Sequence, residues 1–255
     1  CSLKCVSCSN LMQYYKEPKN SEHGETLAAL EILNKNVDYI SEFRVIGGEP
    51  LMNRDWDKIV KSIIDKNPER KVFIYTNGTI APKDEKLQSF KGNNNVNFVI
   101  TEYGELSRNL SKLHDQLDKF EINYSSTVAD NWVDCASIKH HKRTVAANKE
   151  VFKQCCVKYL YTLLDGKLYR CPFIANAAKL KGIPDNPADY VDLFSNNGNI
   201  KPQIQRLVKA ASFFPGCDFC VGRPYDPSSK LGYDGKGIVK AGVQTSKPLP
   251  YRLIK

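Results

Sequence analysis

The 255-residue sequence lacks any long apolar run, whereas about 18 consecutive apolar residues would indicate a membrane-spanning helix. It therefore predicts no transmembrane helix. No signal peptide is visible either. The sequence also lacks an initial methionine and begins with Cys1, so we expect an N-terminal piece to be missing, and the sequence leaves targeting open.

The charge is not balanced, because 37 Lys and Arg residues face 28 Asp and Glu residues and give a formal net charge of +9. Such a surplus can indicate a nucleic acid or a phosphorylated substrate. Here, however, the basic residues are scattered, and aromatic residues do not alternate with them. We therefore interpret most of them as a solvated surface and do not expect nucleic acid as the partner.

Cysteine is abundant, and the total of nine is odd. Six cysteines have spacings typical of metal ligands: Cys1, Cys5, Cys8, Cys171, Cys217 and Cys220. Such spacings favour metal binding in a reducing cytoplasm over a disulfide framework. The sequence therefore predicts a cytoplasmic metalloprotein.

The first eight residues form a Cys1-x3-Cys5-x2-Cys8 motif. Soft thiolates suit iron–sulfur centres, and three of them so close in sequence can hold three corners of one cluster. The fourth iron would then be free to bind a small molecule. Alone, the motif could equally be three unrelated buried cysteines or part of a zinc knuckle.

A second motif, Gly47-Gly48-Glu49-Pro50, follows a short apolar stretch. Glycine allows a backbone to approach a ligand closely. The carboxylate of Glu49 could accept hydrogen bonds from an ammonium group. Alone, such a motif is more often an ordinary turn.

Together the two motifs resemble the radical S-adenosylmethionine (radical SAM) superfamily. The resemblance implies a [4Fe-4S] cluster whose free iron chelates the amino and carboxylate groups of S-adenosylmethionine (SAM). The implied cluster ligands are Cys1, Cys5 and Cys8. The residues implied to bind the SAM amino group are Gly47, Gly48 and Glu49.

One position departs from the family pattern. An aromatic residue usually precedes the third cysteine and packs near the adenine, but this chain has Ser7 there. We therefore expect another aromatic residue, Tyr14 or Tyr15, to take that role.

Apolar periodicity between residues 21 and 126 alternates between helices and strands. The strands are predicted over residues 42–46, 71–75, 97–101 and 122–126. The first helix is predicted to start with Ser21 as its N-cap. This alternation predicts an α/β fold with a parallel sheet covered by helices. The resemblance implies a partial (β/α)6 barrel over residues 1–130 with its first strand truncated.

Polar residues collect where the predicted strands end, the edge at which parallel barrels place their chemistry. In the family, strand-end polar groups hold the ribose and carboxylate of SAM. The candidates for this role are Thr76, Asn77, Thr101 and Glu102. The alternative is that Thr76-Asn77-Gly78 is only a turn.

The alternation fails after Thr127, and residues 131–255 are predicted to form a linker and a second, smaller α+β domain. The pair His140-His141 could contact an anionic group, although an exposed basic loop is the more ordinary interpretation. Cys135 is expected to be an isolated thiol.

Two further elements are expected in the second domain. A helix is predicted between the last cysteine motifs from the apolar residues Ile204, Leu207, Val208 and Phe213. Residues 247–251, which contain two prolines, are expected to form an extended strap.

The second domain contains a second set of cysteines. Asp165-Gly166 lies between two apolar alternating runs and predicts a hairpin that brings Cys155 or Cys156 towards Cys171. The later pair, Cys217-x2-Cys220, is a half-site typical of zinc or iron–sulfur. Zinc would be the default for an isolated domain, whereas a radical SAM core favours a second [4Fe-4S] cluster.

This cysteine pattern resembles the auxiliary-cluster domain known as twitch, a shortened form of the SPASM domain. Both Cys155 and Cys156 fit its first ligand position, and the choice between them stays open. A full SPASM domain has further cysteines after the C-x2-C pair, and none follows Cys220. We therefore expect one auxiliary cluster.

The resemblance implies an enzyme that reductively cleaves SAM to a 5′-deoxyadenosyl radical and abstracts hydrogen from its substrate. We expect an oxidoreductase acting on a carbohydrate-like or other small polar molecule, with a flavodoxin or ferredoxin-type electron donor and no membrane partner. The first alternative is a radical SAM enzyme that modifies peptides. The second is a basic zinc protein associated with nucleic acid.

Overall fold

The computed structural model describes residues 1–195, 199–210, 212–222, 238–246 and 248–254. The chain divides into two compact units. The N-terminal unit comprises Cys1–Leu3 and Lys19–Asp130, and the C-terminal unit comprises Lys4–Pro18 and Asn131–Lys255.

The N-terminal unit contains a four-stranded parallel sheet in the order β1-β2-β3-β4. Its strands are β1 (Glu42–Val45), β2 (Lys71–Thr76), β3 (Val96–Glu102) and β4 (Asn123–Val128). Its helices are α1 (His23–Asn36), α2 (Trp56–Lys66), α3 (Asp84–Gln88) and α4 (Leu110–Lys119). The predicted α/β fold with a parallel sheet is confirmed, and it is consistent with a partial radical SAM barrel.

The core of this unit lies between the sheet and its helices. Alternate residues of β2 and β3 are fully buried, so one face of the sheet packs against the amphipathic helices. The largest fully buried side chains of this unit are Trp56, Phe90, Phe98, Ile74, Leu87, Ile100, Leu113 and Leu117. Each such side chain contributes about 1.5–3 kcal/mol through burial, which holds the strand ends in fixed register.

The start of α1 differs from the prediction. The helix begins at His23, and Glu22 is its N-cap residue without a side-chain cap. The carbonyl of Ser21 instead accepts a hydrogen bond from the side-chain amide of Asn53, at 2.9 Å. The observed N-cap therefore lies one residue after the predicted one.

The C-terminal unit combines short antiparallel strands with helices. β5 (Asn131–Val133) pairs with β9 (Ile238–Lys240), and β6 (Thr162–Leu164), β7 (Lys167–Tyr169) and β8 (Tyr190–Asp192) form a second sheet. The helices are α5 (Val145–Lys153), α6 (Pro172–Lys179) and α7 (Ile200–Lys209).

The hairpin predicted from Asp165-Gly166 is confirmed as the turn between β6 and β7. Both turn residues have positive φ, 48° at Asp165 and 69° at Gly166, as two-residue hairpins of the primed type require. The turn therefore sets the pairing that brings the Cys171 end of β7 back beside β6.

Other predictions for this unit need correction. Within α7, Ile204 and Leu207 are buried, but Val208 is 47% exposed and does not belong to the apolar face. In the strap, Lys247 lies outside the described residues, whereas the Leu249 N–H donates to the Gln13 carbonyl at 2.8 Å. α5 and α6 were not predicted.

Across the described ranges, the helices are all too short or too polar to cross a membrane.

Candidate functional site

The glycine motif follows β1 and lies directly against Cys1. A Cβ atom at Gly48 would be 2.3 Å from the Cys1 Cβ and 2.8 Å from its Cα and N, so a side chain at this position would displace Cys1. A Cβ at Gly47 would meet no described atom within 4 Å. Gly48 therefore permits the approach of Cys1, while Gly47 borders open space.

Glu49 is only 4% exposed and is anchored by neighbouring donors. Its carboxylate accepts from the Leu51 N–H at 3.1 Å, the Asn77 N–H at 2.8 Å and the Thr76 hydroxyl at 2.9 Å. Burial raises the pKa of Glu49, and the two backbone N–H groups partly offset this effect. A carboxylate has about four acceptor positions, so it can accept one further hydrogen bond.

Asn77 connects the end of β2 to the beginning of the chain. Its amide nitrogen lies 3.8 Å from the Cys1 Sγ and 3.1 Å from the Ser2 hydroxyl. The Ser2 hydroxyl also lies 2.6 Å from the Thr79 hydroxyl, and the Ser107 hydroxyl donates to the Asn77 carbonyl at 2.7 Å. Sequence reasoning missed Ser2, Thr79 and Ser107, because nothing in the local pattern distinguishes them from ordinary polar residues.

The remaining strand-end candidates lie on the neighbouring strand. Thr76 pairs with Ile100, so Thr101 and Glu102 lie at the same edge of the parallel sheet. The Glu102 carboxylate accepts a hydrogen bond from the Ser126 hydroxyl. The fold therefore brings Glu49, Thr76 and Asn77 into contact, and it places Thr101 and Glu102 on the adjacent strand end.

Cys5 and Cys8 belong to a tight loop of the C-terminal unit. The side-chain amide of Gln244 donates to the Cys5 Sγ at 3.1 Å. Burial raises the pKa of both thiols, and the backbone N–H groups of Met12 and Asn10 counteract it at Cys8. Donors aimed at sulfur are typical of cysteines that ligate a cluster as thiolates.

The expectation for the adenine-packing aromatic residue is not supported by the positions of Tyr14 and Tyr15. Both residues are 9% exposed. Tyr14 packs edge-to-face against Tyr251, and the Tyr15 hydroxyl donates to Asn176 at 2.9 Å. Their rings thus contribute to the interior of the C-terminal unit.

The second cysteine set is held by backbone donors. The Cys171 Sγ accepts from the Ile174 N–H at 3.5 Å, and the Cys220 Sγ accepts from the Gly222 N–H at 3.4 Å. The Cys217 Sγ accepts from the Phe214 N–H, also at 3.4 Å. Each of the three sulfurs therefore has a donor that would stabilise a thiolate.

Burial dominates the electrostatics of these thiols. It raises the pKa of Cys171 well above its usual range, that of Cys217 to about 11 and that of Cys220 to about 12, with smaller contributions from neighbouring thiols. Without a cation they would therefore be protonated at neutral pH. A metal centre would supply the positive charge that keeps such sulfurs ionised.

Electrostatic effects on the neighbouring thiols distinguish Cys155 from Cys156, the two candidates for the first ligand of the auxiliary cluster. Cys155 contributes to the raised pKa of Cys171, Cys217 and Cys220, whereas Cys156 is exposed. Cys135 is buried and contributes at Cys220, so it is not remote from the cluster of thiols. Among the described residues no three Cys, His, Asp or Glu side chains form a ready metal site, so these thiols are neighbours rather than a preformed ligand cage.

The segment of residues 139–143 binds the Cys217-x2-Cys220 turn. Arg143 donates to the carbonyls of Cys217, Cys220 and Val221 at 2.9–3.3 Å, and its backbone N–H donates to Asp218. We call residues 139–143 the clamp segment. Its role was missed because its partners lie about 75 residues further along the chain.

Histidine residues complete this contact. The His140 ring stacks on Phe219 with centroids 4.7 Å apart, and its Nε2 lies 2.9 Å from Asp218. The His141 N–H donates to the Asp218 carbonyl at 3.0 Å. The histidine pair is thus part of a structural contact with the cysteine turn.

The sequence model of the Radical SAM superfamily matches residues 1–103, which include the first three cysteines and the glycine motif. This part of the chain is therefore similar to that superfamily. The family implies a [4Fe-4S] cluster and SAM as cofactors.

Relatives that match this chain include proteins of Methanococcus maripaludis described as probable GTP 3′,8-cyclases. Those of strains C6, C5 and C7 are each 30% identical to the chain over 101 residues. The match covers 38% of this chain and 32% of each relative, so the chain matches about a third of their length. The similarity therefore concerns one part of the chain.

Proposed function

We propose that the protein is a radical SAM enzyme in which the first three cysteines hold the cluster and the strand ends bind SAM. The cluster ligands in this proposal are Cys1, Cys5 and Cys8. The SAM-binding residues are Gly47, Gly48, Glu49, Thr76, Asn77, Thr101 and Glu102. When bound, the cluster supplies the electron that cleaves SAM into methionine and a 5′-deoxyadenosyl radical, which abstracts hydrogen from the substrate.

The observation that carries this proposal is the contact between Cys1 and Gly48 beside the buried Glu49 carboxylate. Gly47 offers open space next to this contact. Glu49, held by Thr76 and Asn77, retains capacity for one donor, and the ammonium of SAM is such a donor. Asn77 bonds to both Ser2 and Glu49, so it fixes the cysteine and the carboxylate together.

For the second set we propose an auxiliary [4Fe-4S] cluster on Cys155, Cys171, Cys217 and Cys220. The electrostatic effect of Cys155 on the other three thiols supports this choice, and the exposure of Cys156 favours Cys155 over it. Four thiolates would create a redox centre suited to accepting an electron from the substrate. The net reaction in this proposal is an oxidation, with a flavodoxin or ferredoxin-type donor supplying the first cluster.

Metal content tests the two clusters. Anaerobically reconstituted protein should bind about eight irons per chain with matching sulfide. Cys155→Ser should lower this to about four, whereas Cys156→Ser, its neighbour, should leave it unchanged. One or two zinc ions in place of iron would instead support the zinc-protein alternative. Loss of iron from Cys156→Ser but not from Cys155→Ser would mean that Cys156, and not Cys155, is the ligand.

We propose a carbohydrate-like or other small polar substrate, an assignment based on analogy at the family level. The names of the relatives favour a second candidate, a purine nucleotide such as GTP. Transfer of deuterium into 5′-deoxyadenosine from labelled sugars, labelled GTP or a labelled peptide distinguishes these candidates and the peptide-modifying alternative. Transfer from GTP alone would overturn the sugar assignment.

A further inference from the structure

Arg170 is a buried cation beside the second cysteine set. Arg170 is only 3% exposed, although arginine is rarely buried without a partner. Three aromatic rings surround the guanidinium: Tyr161 at 4.7 Å, Phe152 at 5.5 Å and Phe214 at 5.5 Å. Cation–π attraction to these rings offsets part of the desolvation cost.

The guanidinium is not fully hydrogen bonded. Its Nε and Nη1 atoms are buried and have no hydrogen-bond partner among the described residues. The Asp189 carboxyl accepts a hydrogen bond from the Gly216 N–H at 3.0 Å, and the Asp189 carbonyl accepts one from the backbone N–H of Arg170 at 3.3 Å. A buried charge with two unpaired donors is costly. These donors therefore indicate an anionic partner that the described residues do not supply.

The thiols of the second cysteine set could supply such an anion by binding a cluster. Arg170 directly precedes Cys171, whose Sγ accepts from the Ile174 N–H at the start of α6. The Phe214 ring beneath the guanidinium belongs to the residue whose N–H donates to the Cys217 Sγ. The unpaired donors and the thiols thus share one buried region of the C-terminal unit.

We propose that Arg170 is the internal counter-charge of the iron–sulfur cluster bound by Cys155, Cys171, Cys217 and Cys220. This inference rests on the proposed function. A [4Fe-4S]2+ centre with four thiolates carries a charge of about −2, and a nearby guanidinium reduces the charge of the buried region to about −1. Adding an electron then meets less repulsion, so Arg170 raises the reduction potential and favours electron uptake.

The test measures the auxiliary cluster alone in the full chain. Replacing Cys1, Cys5 and Cys8 by Ala leaves only the second set to bind iron. In this background, a dithionite titration followed by electron paramagnetic resonance should show that Arg170→Met makes the cluster harder to reduce. We expect at least a tenfold shift towards the oxidised form, which equals 59 mV for one electron.

Two further variants make the outcome decisive. Arg206→Met removes one exposed positive charge from α7 and should leave the reduction potential of the cluster unchanged. Arg170→Lys keeps a positive charge at position 170 and should keep the potential close to that of the wild type. If Arg170→Met does not bind iron, the iron content of Arg170→Lys decides the question. Iron bound by Arg170→Lys would support the role of Arg170 as a counter-charge, and loss of iron from Arg170→Lys would overturn that role. An unshifted potential in Arg170→Met overturns this inference alone, whereas a triple-Ala background that binds no iron would overturn the auxiliary cluster itself and the inference with it.

Discussion

The two cysteine sets are surrounded by different kinds of structure. Cys1 lies against the backbone of Gly48 at the end of a regular parallel sheet, where a side chain would not fit. Cys217 and Cys220 lie in a short turn whose carbonyls accept hydrogen bonds from the Arg143 guanidinium, which also lies 3.8 Å from the Asp218 carboxylate. The first site should therefore be sensitive to added volume, and the second to lost hydrogen bonds and charge.

The largest effect should come from removing the ligands themselves. Replacing Cys1, Cys5 and Cys8 by Ala should abolish the formation of 5′-deoxyadenosine, because the electron that cleaves SAM is supplied there. Replacing Cys171 and Cys220 by Ala should spare uncoupled SAM cleavage but stop substrate oxidation. Chromatographic assay of 5′-deoxyadenosine and of the oxidised substrate measures the two reactions separately. SAM cleavage that survives the triple replacement of Cys1, Cys5 and Cys8 would contradict the proposed function.

Gly48→Ala tests the steric half of the comparison. The added Cβ would lie 2.3 Å from the Cys1 Cβ, so Cys1 must move. We expect loss of about four irons per chain and of nearly all SAM cleavage. The matched control is Gly24→Ala in α1, where the Cβ meets no described atom within 4 Å. Full iron content in Gly48→Ala would show that Cys1 can bind the cluster without lying against the Gly48 backbone.

Glu49→Gln separates charge from shape at the same site. The amide keeps one acceptor but loses the charge that would attract the SAM ammonium, a difference of about 1.5–3 kcal/mol for a charged hydrogen bond. SAM should bind roughly 10- to 100-fold more weakly at equilibrium, with iron content retained. Glu105→Gln, at an exposed position, is the control, and equal affinities in the two variants would remove Glu49 from the SAM site.

The comparison also explains which features could be predicted. The alternation of strands and helices depends on apolar spacing within each element, as in α2, where Trp56, Ile59, Val60 and Ile63 are buried. The Asp165-Gly166 turn is similarly local, because two adjacent residues determine its backbone.

Features that depend on distant partners could not be predicted. Ser2 reaches Asn77 across 75 residues, and Arg143 reaches Asp218 across the same separation. The Ser21 carbonyl likewise accepts a hydrogen bond from Asn53, 32 residues further along the chain. No local pattern encodes such contacts, so polar support residues were missed even where the candidate ligands were named.

Arg143→Met tests the other half of the comparison and should have the smallest effect. The change removes donors to three carbonyls of the cysteine turn, a loss of about 1–3 kcal/mol. The turn would then hold its thiols less rigidly, so the second cluster should be lost faster to a chelator while the first is retained. Lys142→Met, which removes an exposed charge from the same segment, should behave as the wild type. Equal rates in the two variants would mean that the clamp segment supports the fold without supporting the cluster.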